Sequence, residues 1–146
     1  MAEAAGALSA ATMEMINTRA TAQYESWKNG TTAEQKAKAN KDLEDWNANE
    51  EFKAAHMAKM NNAWADAGPD ANGRMQLAGY KVWMAKMIEL KTERGDWIEP
   101  GDNSEADYAI ANSVDPDNEG IKQAELWQVI GPWHQKFQAL KAADGL

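Results

Sequence analysis

Two helical patterns of apolar residues flank one segment rich in Gly, Asp and Asn, and this arrangement constrains the fold most. The segment runs from Gly68 to Gly79 (GPDANGRMQLAG). Apolar residues recur at intervals of three and four on both sides of it, which is the spacing of one face of an α-helix. They are Met60, Ala63, Trp64 and Ala67 before the segment, and Tyr80, Trp83, Met84 and Met87 after it. The pattern predicts a helix, a loop and a second helix. A plain Gly-Pro and Asn-Gly turn between two amphipathic helices is the alternative.

A second acidic segment, DPDNEGIKQAE from Asp115 to Glu125, precedes the last helical pattern of the chain. Leu126, Val129, Ile130 and Trp133 follow it at helical spacing. In the residue order of the first segment, the central apolar residue and the last ligand of the loop would each come one residue later than Ile121 and Glu125 do. A single deletion after Gly120 explains both shifts. The segment therefore predicts a second helix–loop–helix with a shortened loop. The alternative is an Asp-Pro-Asp-Asn turn that caps the final helix and needs no ion.

Two short motifs, Asp70-Ala-Asn-Gly-Arg-Met and Asp115-Pro-Asp-Asn-Glu-Gly-Ile, resemble the calcium loops of the EF-hand (calmodulin-like) superfamily. The tryptophan-containing connector between them is also similar to that of small ciliate EF-hand proteins of the spasmin group. The resemblance covers roughly residues 52–142. It implies a paired lobe in which the two loops lie side by side, joined by a short β-bridge through Met75 and Ile121.

The resemblance also implies a set of calcium ligands, because calcium takes six to eight oxygen atoms from such loops. The first loop lacks the last ligand of the motif, a bidentate glutamate, and has Gly79 in its place. The second loop has more carboxylates but is one residue short. We therefore expect weak calcium binding or none, and the second loop is the better candidate. The implied ligands are Asp70, Asn72, the Arg74 carbonyl and Gln76 in the first loop, and Asp115, Asp117, Glu119, the Ile121 carbonyl and Glu125 in the second.

The predicted fold class is all-α, an EF-hand-like pair of helix–loop–helix segments preceded by an N-terminal helical hairpin. Residues 1–11 are expected to be frayed. Residues 12–48 are expected to form the hairpin, which is either a plain hairpin or a hand that has lost its loop. Residues 49–146 are expected to form the pair, with loops at 68–79 and 115–125. Within the hairpin, Thr32 and Gln35 have the spacing of a capping box that opens the second helix.

The composition excludes several classes of function. A net charge of −8 argues against nucleic-acid binding, which needs clustered Lys and Arg, and the absence of cysteine excludes disulfides and thiolate metal sites. His56 and His134 are interpreted as packing residues. We find no nucleophile or phosphate-binding motif, so an enzyme is not expected. No leader peptide and no apolar run of membrane-spanning length is evident, which predicts a cytoplasmic protein, with a cytoskeletal or ciliary location as a variant.

The leading functional hypothesis is a non-enzymatic protein of EF-hand fold whose degenerate loops no longer depend on calcium. Such a protein would bind another protein, for instance a helical peptide, or serve as a structural part of a cytoskeletal or ciliary assembly. The alternative is a calcium-binding sensor or buffer that uses mainly the loop at 115–125.

Overall fold

The computed structural model describes residues 8–146. Within them the chain is mostly helical, which agrees with the all-α class, and none of these helices is long and apolar enough to cross a membrane. Of the segment 1–11, residues 1–7 lie outside the described residues, and the last two begin the first helix. The elements are α1 (Ala10–Gly30), α2 (Ala33–Ala48), α3 (Glu50–Asp66), β1 (Arg74–Met75), α4 (Leu77–Arg94), α5 (Ser104–Asn112), β2 (Ile121–Lys122) and α6 (Gln123–Ala143).

The helices begin and end where local sequence signals place them. The hydroxyl of Ser9 accepts a hydrogen bond from the Thr12 amide and caps α1. The predicted capping box of α2 is present, because the Thr32 amide donates to the Gln35 side chain (2.8 Å) and the Gln35 amide donates to the Thr32 hydroxyl (3.1 Å). Gly95, at φ 73°, ends α4 in the left-handed conformation that glycine adopts at little cost.

One hydrophobic core joins α1, α3, α4, α5 and α6. The apolar positions predicted on both sides of the first loop and after the second are buried or packed against this core, except Met60, which is half-buried. α1 contributes a single stripe of buried residues and packs most extensively on α6, the last helix of the chain. The buried members are Ile16, Ala63, Trp64, Met75, Tyr80, Trp83, Tyr108, Ile110, Ala111, Ile121, Leu126 and Val129.

The two loops lie side by side because β1 and β2 form a two-stranded antiparallel sheet. Met75 is paired with Ile121, and Arg74 with Lys122. Met75 and Ile121 are both fully buried, so the sheet anchors the loops to the core through their central apolar residues. The bridge that the resemblance implies is therefore present.

α2 is the least integrated element among the described residues. None of its residues is buried, and its main helical neighbour is α3 rather than α1. Polar contacts tie it to the rest of the chain: Lys38 lies 3.2 Å from Asp96, and the Lys141 ammonium donates to the Asn40 side chain at 2.6 Å. The two helices of the predicted N-terminal hairpin thus have different surroundings, since α1 is part of the core and α2 lies outside it.

Candidate functional site

The first loop is organised by the carboxylate of Asp70. One of its oxygens accepts hydrogen bonds from the amides of Asn72 (2.9 Å) and Arg74 (3.0 Å), and the other accepts one from the Gln76 side chain (3.1 Å). The Arg74 amide and then the Gln76 side chain lower the pKa of Asp70. The Arg74 carbonyl, a predicted calcium ligand, accepts from the Asp70 amide at 2.8 Å. Of the oxygens that the resemblance assigns to an ion, those of Asp70 and Arg74 are therefore used to close the turn on itself.

Gly79 occupies the place of the missing glutamate, and there is no room for a side chain there. A Cβ at this position would lie 2.4 Å from the Met75 sulfur and 3.0 Å from the Ala67 carbonyl. Both distances are shorter than an unstrained contact. Because Met75 is itself fully buried in the core, it has little freedom to move aside. The packing of the β-bridge thus accounts for the glycine at the end of this loop.

Replacing Gly79 by alanine is expected to lower the free energy of unfolding by about 1–3 kcal/mol, the usual cost of forcing extra atoms into a packed core. The matched control is Gly30→Ala at the last residue of α1, where the added Cβ would make an ordinary contact of 3.6 Å with the indole nitrogen of Trp97. That change is expected to alter stability by less than about 1 kcal/mol, because only the helix preference of alanine over glycine applies there. Urea unfolding followed by tryptophan fluorescence measures both. Effects of the same sign and size would contradict crowding at Gly79.

The guanidinium of Arg74, which extends from the first loop, lies among the oxygens of the second. Its Nη2 is 2.8 Å from the Asp115 carboxylate, and its Nη1 donates to the Gly120 carbonyl (3.0 Å) and to the Glu125 carboxylate (3.3 Å). The Arg74 side chain is only 10% exposed. The register of the sheet explains the contact, since Arg74 is paired with Lys122, which lies between Gly120 and Glu125.

The two glutamates of the second loop also have partners. Glu119 accepts a short hydrogen bond from the Tyr108 hydroxyl, and its carbonyl accepts from Gln76 at 3.2 Å. Burial, together with this carboxylate, raises the pKa of Tyr108 to about 12. Glu125 accepts from the Lys122 amide at 2.9 Å, which caps the start of α6.

Two further aspartates complete the second loop. The side-chain amide of Asn118 donates to the Asp115 carboxylate at 2.9 Å. This hydrogen bond and the Arg74 charge lower the pKa of Asp115. Asp117 is exposed, and Ile121 forms the β-bridge with Met75. Of the predicted ligands of the second loop, Asp115 and Glu125 thus share Arg74 as a partner, whereas Glu119 binds Tyr108 and Asp117 is exposed.

The donor set does not fit a calcium ion in this arrangement, because a positively charged guanidinium lies among the oxygens that the ion would need. Within residues 8–146, no group of three or more His, Cys, Asp or Glu side chains is arranged to hold a metal. The nine predicted ligands nevertheless fall in one region. Side-chain bonds of Arg74 and Gln76 connect the first loop to the second.

The sequence predicts a role for the carbonyl of Arg74 but not for its side chain, and it does not predict the contact of Tyr108 with the second loop. The sequence does contain a signal for the role of the Arg74 side chain, because this single arginine lies in a loop that is predicted to lie beside a loop with four carboxylates. The Tyr108–Glu119 bond had no such signal, because it depends on how α5 lies against the second loop.

No family model matches the chain, and neither does any curated protein or solved structure. The function must therefore be inferred from the geometry of the chain itself.

A second candidate site is an open groove of about 1280 Å³ between α2 and the body of the protein. Trp27 and Phe137 line it and contact each other edge to face, with ring centroids 5.6 Å apart. Leu43 and Trp46 of α2 line it as well, together with Phe52 at the start of α3. Phe52 is 42% exposed and lies 6.0 Å from the ring of Trp46. The groove is therefore aromatic, and its α2 side is the least integrated helix of the described chain.

Charges of opposite sign predominate on the two edges of the groove. Carboxylates cluster along the edge formed by α2 and α3, whereas cations lie along the edge formed by α4 and α6. Burial lowers the pKa of Lys141, whose ammonium lies 5.0 Å from the centre of the Trp27 ring. Lys38 and Asp96 line the groove as well and pair with Asp42 and Arg94. The other charged residues are Asp42, Asp45, Glu50 and Glu51 on the first edge, and Lys91, Arg94 and Lys141 on the second.

Proposed function

We propose that this chain is a non-enzymatic protein of the EF-hand type that binds another protein through the groove beneath α2. The EF-hand type is supported by two helix–loop–helix segments whose loops pair through Met75 and Ile121. Protein binding rests on one observation: Leu43 and Trp46 line an open aromatic groove on a helix that buries none of its residues. Partly exposed aromatic residues grouped in a depression, here Trp46, Phe52 and Phe137, are typical of protein-binding surfaces.

The occupant that suits the groove is a helical segment of a partner protein. Pockets for small molecules measure about 300–1,000 Å³ and enclose most of their ligand, whereas this groove is larger and open. A partner helix that inserts an apolar face between Trp46 and Phe137 would cover both rings and the side chain of Leu43. Basic residues along one side of that helix would lie near the α2–α3 edge, and acidic residues along the other near Lys91 and Arg94.

The test is photo-crosslinking from the groove, followed by reconstitution. A benzophenone amino acid placed at Leu43 is expected to capture a partner that the same probe at Val82 does not. Val82 serves as the control because it is 58% exposed on α4 and does not line the groove. The captured partner is then produced separately, and its affinity for wild type, Leu43→Asp and Val82→Asp is measured by calorimetry.

Leu43→Asp is expected to weaken binding at least tenfold, because a charge would be buried in an apolar contact, and Val82→Asp is expected to change it less than twofold. Both variants should keep the melting temperature of the wild type, since neither position belongs to the core. Equal losses of affinity in the two variants, or capture from Val82 alone, would contradict the groove as the binding site.

A further inference from the structure

We infer that Arg74 is a built-in cation of the second loop: its guanidinium takes the place that a metal ion has in a calcium loop. The two loops then keep their paired structure without any metal. This inference concerns the loop pair and is separate from the groove, so either one can fail without the other. It rests on the contacts, the charge balance and the burial of Arg74.

The contacts of Arg74 match the oxygen types that a calcium loop directs at its ion. The guanidinium reaches an aspartate at the start of the loop, a backbone carbonyl in the middle and a glutamate at the end, namely Asp115, Gly120 and Glu125. Calcium is bound in such loops by this same combination of aspartate, carbonyl and terminal glutamate. A guanidinium offers five N–H donors in one plane and keeps its charge at any pH the protein meets.

The charge balance of the second loop favours a buried cation, because Lys122, the one cation within residues 115–125, is exposed. Its carboxylates are Asp115, Asp117, Glu119 and Glu125, all within eleven residues. Like charges held this close repel each other unless a positive charge lies among them. Arg74 supplies that charge from the other loop, and the β-bridge delivers it because Arg74 is paired with Lys122.

Because Arg74 is mostly buried, its guanidinium and a metal ion cannot occupy the second loop together. Its side chain is 10% exposed, and that of Glu125 is 14% exposed. A divalent ion bound to Asp115 and Glu125 would lie within a few ångströms of the guanidinium, where repulsion between the cations is severe. Arg74 would have to leave the loop first, which would break all three of its hydrogen bonds. The arginine therefore excludes the metal as well as replacing it.

The hydrogen bonds of Arg74 also hold the first loop against the second. Gln76 likewise reaches from the first loop to the second. Its side-chain nitrogen donates to the Asp70 carboxylate of its own loop (3.1 Å) and to the Glu119 carbonyl of the second (3.2 Å). Side chains of the first loop thus hold the backbone of the second at Glu119 and at Gly120.

The test compares wild type, Arg74→Met and Arg74→Lys in chelator and in calcium. In chelator, Arg74→Met is expected to melt roughly 5–10 °C below wild type, because removing one partner of a mostly buried ion pair leaves the carboxylates uncompensated. Calcium is expected to raise the melting temperature of that variant by about 5–10 °C when it is present at a hundredfold excess over a dissociation constant on the order of 10⁻⁴ M. Wild type should shift by less than 1 °C, roughly the error of such a melt. Arg74→Lys, which keeps the charge but loses the planar fork, should lie between the two in chelator.

A second measurement does not depend on a melting transition. Terbium, a luminescent substitute for calcium, is titrated into the wild type and into Lys81→Met, which removes an exposed ion-pair partner of Glu105 outside both loops. Neither should bind terbium tightly, whereas Arg74→Met should bind it with sensitised luminescence that calcium displaces. Calcium stabilisation of the wild type would overturn the inference. So would an Arg74→Met variant that gains no response to calcium or terbium.

Discussion

Replacing Arg19 by methionine is expected to lower the free energy of unfolding by about 3–5 kcal/mol, the range measured when one partner of a buried ion pair is removed. Arg19 lies on α1 and joins two distant parts of the chain. Its two terminal nitrogens bind the Glu99 carboxylate at 2.7 and 2.5 Å, and its Nε donates to Asp107 of α5 at 2.8 Å. Side-chain exposure is 11% for Arg19, 17% for Glu99 and 10% for Asp107. Methionine fills a similar volume but leaves two carboxylates without their counter-charge.

The expected loss depends on pH in a definite direction. Burial already raises the pKa of Asp107 in the wild type, although Arg19 opposes the rise. Without Arg19 the pKa of Asp107 should rise further, so the folded variant takes up a proton more readily than the unfolded chain. By linkage, the variant gains stability relative to wild type as the pH falls from 7 towards 5. A stability difference that stays constant over this range would contradict the electrostatic explanation.

The control for Arg19→Met is an exposed ion pair. Lys41 lies 3.4 Å from Asp45, with side-chain exposures of 73% and 56%. Lys41→Met is expected to change stability by no more than about 0.5 kcal/mol, since solvent screens such pairs. The triple variant Arg19→Met, Glu99→Gln, Asp107→Asn should recover part of the loss, because it removes the unpaired charges together. Urea unfolding measures all three. A loss below about 1 kcal/mol for Arg19→Met would contradict a central role for this cluster.

The helices and their buried faces could be predicted from sequence because their signals are local. The stripe that includes Tyr80 and Trp83 repeats at helical spacing within a few residues, and the Thr32–Gln35 box spans a single turn. The bridge between Met75 and Ile121 is a long-range pairing, and only the resemblance to a known loop pair implied it.

The contacts that decide the chemistry of the loops could not be predicted in this way. The partners of the Arg74 side chain lie 41 to 51 residues along the chain, and those of Arg19 lie 80 to 88 residues away. A sequence window contains no information about such pairs until the topology is known. The nearby carboxylates could be counted, but a count predicts charge and not which cation neutralises it. The groove is a similar case, because it exists only where α2 lies opposite α6.

Replacing Gly120 by alanine is expected to lower the free energy of unfolding by about 2–5 kcal/mol, from backbone strain and from crowding together. Gly120 has φ 105°, a conformation that L-residues with side chains rarely adopt. An added Cβ would lie 2.5 Å from the Gln76 side-chain nitrogen and 2.9 Å from Cβ of Arg74. The glutamine end can swing away, but Cβ of Arg74 belongs to the β-bridge and cannot move without it.

Gly73→Ala is the matched control, because it separates the two contributions. Gly73 also has a positive φ, 77°, yet nothing lies within 4 Å of the added Cβ. It should therefore lose only the strain energy of about 1–2 kcal/mol. Equal losses at the two positions in urea unfolding would show that crowding against the first loop contributes nothing. A larger loss at Gly120 is required if the loops are pressed together there, since the Gly120 carbonyl also accepts from Arg74. Any shift of this backbone would then weaken the guanidinium contacts of the second loop as well.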